Sequence, residues 1–155
     1  MVFARPDKFF LVAGYAEGQT PLNAFDNALM KAGIGNTNLI RISSILPPSS
    51  TEIPAPKLPY GALIPTAFAD ETCDLPGTVV SAAVACAQPT DPELPGVIME
   101  HHVQADEETC RREVMQKIEE AFAMRGYQLK TVKVASASGT VKNIGSAIAA
   151  VVLWM

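Results

Sequence analysis

The chain has 155 residues, 48% of them hydrophobic and 18% charged, with 16 acidic and 12 basic side chains for a net charge of −4. That length suits one domain, and the acidic balance (pI near 5.1) speaks against a nucleic-acid partner, which needs a basic face. A mean hydropathy of +0.18 is rich for so lightly charged a soluble protein and points to apolar surface buried against other subunits.

The start carries Arg5, Asp7 and Lys8 with no long apolar run, so it has no signal-peptide pattern. Phe9 to Ala13 reads as a short apolar strand and Gly14 to Gly18 as a turn. Thr20 and Pro21 open a helix, as N-cap and first helical residue, and Gly33 and Gly35 close it. Leu22, Phe25, Leu29 and Ala32 form its apolar stripe. Asp26 sits on the margin of that stripe. It is either a carboxylate on an exposed rim or a binding group at a subunit contact.

Thr37 to Pro48 begins as a strand through Leu39, Ile40 and Ile42 and ends at two prolines, with Ser43 and Ser44 between. The residues allow two readings. One is a strand running into a turn. The other is a self-cleavage junction, where the hydroxyl after a strained peptide bond attacks the preceding carbonyl. Elimination from the resulting ester turns that serine into dehydroalanine and then into a pyruvoyl group. Spacing alone does not choose between them.

Pro47 to Tyr60 holds five prolines and predicts an extended connection without regular elements. Gly61 to Ala69 predicts a strand, Asp70 to Pro76 an acidic turn, Gly77 to Ala87 a strand of small residues, and Asp91 to Pro95 a turn. In the strand Gly96 to Val103, period two puts Ile98, Glu100 and His102 on one face and Val97, Met99, His101 and Val103 on the other. Glu100 is then either a satisfied edge glutamate or an acid whose desolvation lets it donate a proton near neutrality. His101 and His102 point oppositely and do not suit a shared metal.

Asp106 to Arg125 is an amphipathic helix, with acids at its start, Gly126 as its stop and a stripe of Cys110, Val114, Ile118, Ala121 and Phe122. Tyr127 to Ala137 predicts a strand, Ser138-Gly139 a turn, and Ile144 to Met155 a chargeless closing strand covered on both faces. Cys73, Cys86 and Cys110 show no C-x-x-C spacing and read as reduced thiols of a cytoplasmic protein. No apolar run reaches the length of a membrane span. The order of elements suits a single-domain α+β sandwich.

Asn38-Leu-Ile-Arg-Ile-Ser-Ser-Ile-Leu-Pro-Pro48 resembles the processing site of the pyruvoyl-dependent arginine decarboxylases. Val12 to Leu29, Ala32 to Asn36, Pro56 to Pro59, Gly61 to Ala67, Gly96 to Glu100 and Ala147 to Trp154 are similar to that family as well. The resemblance implies a four-layer αββα sandwich over residues 1–155, assembled as a homotrimer with active sites between subunits. It implies cleavage into a β chain, 1–43, and an α chain, 44–155, whose pyruvoyl group comes from Ser44, with no pyridoxal phosphate and no metal. L-Arginine would be decarboxylated through a Schiff base to agmatine and carbon dioxide. By resemblance, Glu100 is the proton donor, Asn38 supports processing, and Asp26, Gly35 and Ser43 bind substrate. Two alternatives stay open: a pyruvoyl decarboxylase for another amino acid such as histidine, and a non-enzymatic trimeric binding protein with its serine pair intact.

Overall fold

Two helices and two β-sheets build this α+β chain in the computed structural model, which describes residues 4–155. Met1–Phe3, with which the expected 1–43 fragment begins, lie outside the described residues. In chain order the elements are β1 (Lys8–Glu17), α1 (Pro21–Ala32), β2 (Asn38–Arg41), β3 (Ile45–Leu46), β4 (Thr51–Glu52) and β5 (Leu63–Cys73). Then come β6 (Val79–Pro89), β7 (Gly96–Val103), α2 (Glu107–Arg125), β8 (Leu129–Thr140) and β9 (Gly145–Trp154). The first sheet runs β2-β5-β9-β1-β4 and the second β3-β7-β6-β8.

Strand alternation sorts the side chains into separate cores. In β9, Ala147, Ala149, Val151 and Leu153 join Val80, Ala82, Val84, Cys86 and Ile98 of the second sheet in one cluster. Ile148, Ala150 and Val152, on the opposite face of β9, pack with Ala28, Leu29 and Ala32 of α1. Ala83, Ala85 and Ala87 of β6 pack with Cys110, Val114, Ile118 and Phe122 of α2. The chargeless closing strand is therefore covered on both faces, as its sequence predicts. The many alanines matter because small side chains let packed layers approach closely.

Both helices follow their sequence signals. The Thr20 side chain accepts a bond from the Asn23 N–H, Pro21 starts α1, and the Gly33 N–H reaches the Leu29 and Met30 carbonyls. Asp106 caps α2 by accepting from the Thr109 N–H at 2.7 Å. The α1 stripe needs correction. Leu22 is 75% exposed, while Ala24 and Ala28 are fully buried beside Leu29 and Ala32. The helix lies so close to β1 that alanines share the face toward the sheet with Leu29.

That closeness also explains why Gly14 marks no turn. β1 runs on to Glu17, paired with β9 all along, and a Cβ at Gly14 would lie 2.9 Å from the Ala28 carbonyl oxygen and the Ala32 nitrogen. Gly139 is similar: β8 continues to Thr140, and a Cβ there would sit 2.5 Å from the Tyr15 ring. Neither this position nor Ser138 is a turn. Asp70 and Glu71 belong to β5, which ends only at Cys73. Within the proline-rich stretch, Thr51–Glu52 forms a short strand against Lys8 and Phe9 of β1.

Gly14→Val tests the close approach. The atoms in the way are backbone, so α1 must lift, and overpacking of this kind costs about 1–3 kcal/mol. Thermal unfolding should show the melting point lowered by several degrees. A melting point equal to the parent's would mean that α1 does not rest on β1 as described.

Candidate active site

Between β2 and β3 the chain crosses from one sheet to the other. The Ile42 N–H still donates to the Thr66 carbonyl of β5 in the first sheet, at 3.1 Å. Two residues later the Ser44 carbonyl accepts from the Ile98 N–H of β7 in the second sheet, at 2.7 Å. Ser43 lies between these anchors and is exposed, and Ser44 is half-buried. The chain then joins the second sheet, Ile45 opposite Val97 and Leu46 opposite Gly96, and Pro47 and Pro48 end the ladder.

Glu100 is the acid nearest this crossing along β7. It follows Ile98 by two residues, about 7 Å of strand, and shares Ile98's face toward the first sheet. Its Oε2 is buried and has no hydrogen-bond partner. Burial holds the carboxyl above its ordinary range, opposed by the charges of Arg41 and Lys117. The two histidines diverge as their alternation requires. His102 meets Glu71 of β5 at 2.5 Å, whereas His101 lies with its carbonyl against the Cys110 thiol of α2 at 3.4 Å, its own pKa lowered chiefly by burial.

Arg41 and Lys117 had drawn no attention in the sequence. Arg41 closes β2, its Nη1 donating to the Phe68 carbonyl at 3.0 Å and its guanidinium centred 3.9 Å over the Phe68 ring. A cation two residues before the serine pair is a visible signal. Lys117 sends its Nζ to the Glu100 carbonyl at 2.9 Å. Nothing along α2 sets it apart from the other charges of an exposed helix face.

No hydrogen bond among the described residues joins the remaining candidates to Ser43, Ser44 or Glu100. The Asn38 side chain donates to the Gly61 carbonyl at 3.2 Å, and β2 alone holds it about 10 Å back from the crossing. Gly35 borders a small cavity of about 170 Å³ with Met30, Asn36, Leu58 and Tyr60. Asp26 is exposed on α1, next to Phe25, whose ring lies 6.2 Å from Phe68. A separate cleft of about 340 Å³, lined by Ser49, Ser50, Glu52, Asp91 and Lys130 among others, contains none of these residues. Among the described residues no three His, Cys, Asp or Glu side chains gather to hold an ion, and no helix is long and apolar enough to cross a membrane.

Residues 8–155 match the family model described as pyruvoyl-dependent arginine decarboxylase. The chain is 47% identical over 152 residues to the pyruvoyl-dependent arginine decarboxylase of Methanocaldococcus jannaschii, covering 98% of this chain and 92% of that one. It is 44% identical to the protein of the same name from Methanococcus maripaludis strain C5, over 98% and 93% of the two chains. A Pyrococcus abyssi relative, again of that name, is 41% identical over 99% of each chain.

The unpartnered carboxyl makes a prediction about stability. Because burial raises its folded-state pKa above the ordinary 4.5, the folded protein holds this proton more tightly than the unfolded chain. Stability should then fall as pH rises through and above that ordinary value. Glu100→Gln, in a Ser44→Ala background kept whole, should match its parent near pH 4 and be more stable near pH 8. Denaturant unfolding at the two pH values decides it; equal stability at both would mean the carboxyl is solvated.

Proposed function

The chain belongs to the pyruvoyl-dependent arginine decarboxylase family, and from that membership we propose that it converts L-arginine to agmatine and carbon dioxide. The observation that carries the assignment to particular residues is the half-buried Ser44 at the sheet crossing, beside a buried carboxyl oxygen with no partner.

In this reading the Ser44 hydroxyl attacks the Ser43 carbonyl, converting the peptide bond into an ester and freeing the Ser44 nitrogen. Loss of the Ser43 carboxylate by β-elimination gives dehydroalanine, and hydrolysis releases ammonia and leaves a ketone. The products are a β chain, 1–43, and an α chain, 44–155, that begins with the pyruvoyl group. The surroundings of position 44 fit a small ketone: a half-buried backbone, a hydrogen bond to Ile98 that holds its carbonyl, and Glu100 within a short stretch of strand. When bound to substrate, that group supplies the electron sink a pyridine ring provides elsewhere.

The chain's own residues do the rest. The apolar walls beside Glu100 favour loss of charge as carbon dioxide departs. Glu100, whose carboxyl burial holds above its ordinary range, delivers a proton to the substrate α-carbon. Ser43 contributes a polar contact at the new carboxyl terminus. Asp26 pairs with the guanidinium, whose planar fork matches a carboxylate, Gly35 lets substrate pass close to the backbone, and Asn38 hydrogen-bonds the charge that develops during processing.

This reading has a neighbouring subunit supply Asp26, Gly35 and Asn38. The homotrimer is supported by the apolar side chains left in water, Leu22, Met30, Ile40, Tyr60 and Leu63 among them. The four-layer αββα order is supported by the three core clusters, one between the sheets and one beneath each helix. A cytoplasmic location is supported by three free thiols, one of them, Cys86, pushed up to about 12 by burial.

Gel mobility tests processing first. The parent should split into pieces of 43 and 112 residues (155 − 43 = 112), and Ser44→Ala should stay whole because no hydroxyl remains to attack. Cleavage of Ser44→Ala would remove Ser44 as nucleophile, and an intact parent would favour a binding protein. For substrate choice, Asp26→Asn should process normally yet lose most arginine turnover, on the order of the 3–5 kcal/mol that breaking a buried charged pair costs. A side-by-side panel including histidine completes that test. Unchanged arginine kinetics in the processed variant would take Asp26 out of the pocket.

A further inference from the structure

The geometry points to Lys117 as a positioning residue for Glu100: its ammonium bonds the Glu100 main-chain carbonyl on the strand edge that β3 leaves open. This inference rests on reading Glu100 as the proton donor.

The argument starts from the ladder. The Ile98 N–H points toward β3, where it meets the Ser44 carbonyl. In an antiparallel strand, residues two apart present their backbone groups to the same side. The N–H and C=O of Glu100 therefore also face the β3 side, while Val84 of β6 lies opposite Glu100 on the other. Continuing the β3 register would bring Ile42 beside Glu100. Ile42, however, is bound to Thr66 in the first sheet. The crossing that creates the Ser43-Ser44 bond thus strips Glu100 of its strand neighbour.

Lys117 fills the place. It reaches from α2 to the Glu100 carbonyl at 2.9 Å, a charge-assisted bond of the stronger class. An unsupported edge residue frays, and a proton donor misplaced by about an ångström can lose roughly a hundredfold in rate. The same ammonium bears on titration, since with Arg41 it opposes the burial that raises the Glu100 carboxyl. The charged and titratable neighbours are Arg41 from β2, Glu71 from β5, His101 and His102 on β7 itself, and Glu113 and Lys117 from α2. Glu71 is engaged by His102. Lys117 alone among them holds the Glu100 backbone.

The test compares Lys117→Met and Lys117→Arg with the parent, each assayed on its cleaved fraction as agmatine formed per pyruvoyl group. Lys117→Met should lose roughly tenfold to a hundredfold in kcat with KM little changed, and Lys117→Arg should recover most of it. The alkaline limb of the kcat profile should move to higher pH in Lys117→Met, because removing a cation favours the protonated acid. A readout free of turnover is the infrared carbonyl band of protonated Glu100, identified by subtracting Glu100→Gln and followed against pH in uncleaved Ser44→Ala protein. Its midpoint should rise with Lys117→Met. In the double variant with Glu100→Gln, the Lys117 substitution should cost nothing further, since the two act as one unit. A Lys117→Met protein with parental kcat profile and infrared midpoint, or a loss that adds fully to that of Glu100→Gln, overturns the proposal. If Glu100→Gln alone turns over normally, the proton-donor reading falls, while the infrared midpoint still decides whether Lys117 controls Glu100.

Discussion

One backbone constraint governs this molecule: the chain must leave one sheet and enter the other within three residues. Ile42 is bound to β5 and Ser44 to β7, so the peptide joining Ser43 to Ser44 belongs to neither ladder. Buried backbone groups ordinarily find partners within secondary structure. Here the partners lie in different layers, and the bond between Ser43 and Ser44 falls between the two anchors. The crossing also shortens what surrounds it. β2 ends after Arg41, β3 lasts for Ile45 and Leu46, and β7 continues past Ile98 paired with β6 but with no strand on its β3 side.

The acid on that open stretch is held by opposing effects. Burial between the sheets favours the protonated form, and Arg41 and Lys117 favour the ionised one. Neither cation reaches the carboxyl oxygen that lacks a partner, because Arg41 is committed to Phe68 and Lys117 to the Glu100 backbone. A direct ion pair would keep the carboxyl ionised and useless as an acid. Cations tied down nearby temper the burial without pairing with the carboxyl, a balance that would suit the proposed proton donor.

Where sequence reading succeeded and failed follows from which forces act locally. Thr20, Pro21 and Gly33 mark α1 because capping depends on residues a turn apart. Ile144 to Met155 reads as a central strand because a run without charge can only be covered. The misread positions were set by another layer. Gly14 and Gly139 carry turn chemistry, yet each is a glycine because α1 or Tyr15 presses against it. Leu22 fits an apolar stripe but is exposed, and Ala24 and Ala28 are buried beside Leu29 and Ala32 instead. The serine pair and Glu100 were legible through resemblance and strand alternation. Lys117 was not, since its role depends on β3 turning away, which no local pattern encodes.

The split of the proposed site into two groups bears on the order of events. Ser44 and Glu100 are neighbours within one copy, whereas Asn38, Asp26 and Gly35 sit on α1 and the descent from it into β2. If Asn38 supports processing from a neighbouring subunit, cleavage cannot begin until copies have met. The reactive ketone then forms only inside a completed pocket, already facing the carboxylate of Asp26 and shielded from stray amines. The apolar side chains exposed on a lone copy, Ile40 and Leu63 among them, would supply the hydrophobic drive for that meeting. Association would thus precede chemistry, and the peptide at the sheet crossing would stay intact until the partner that assists its cleavage has arrived.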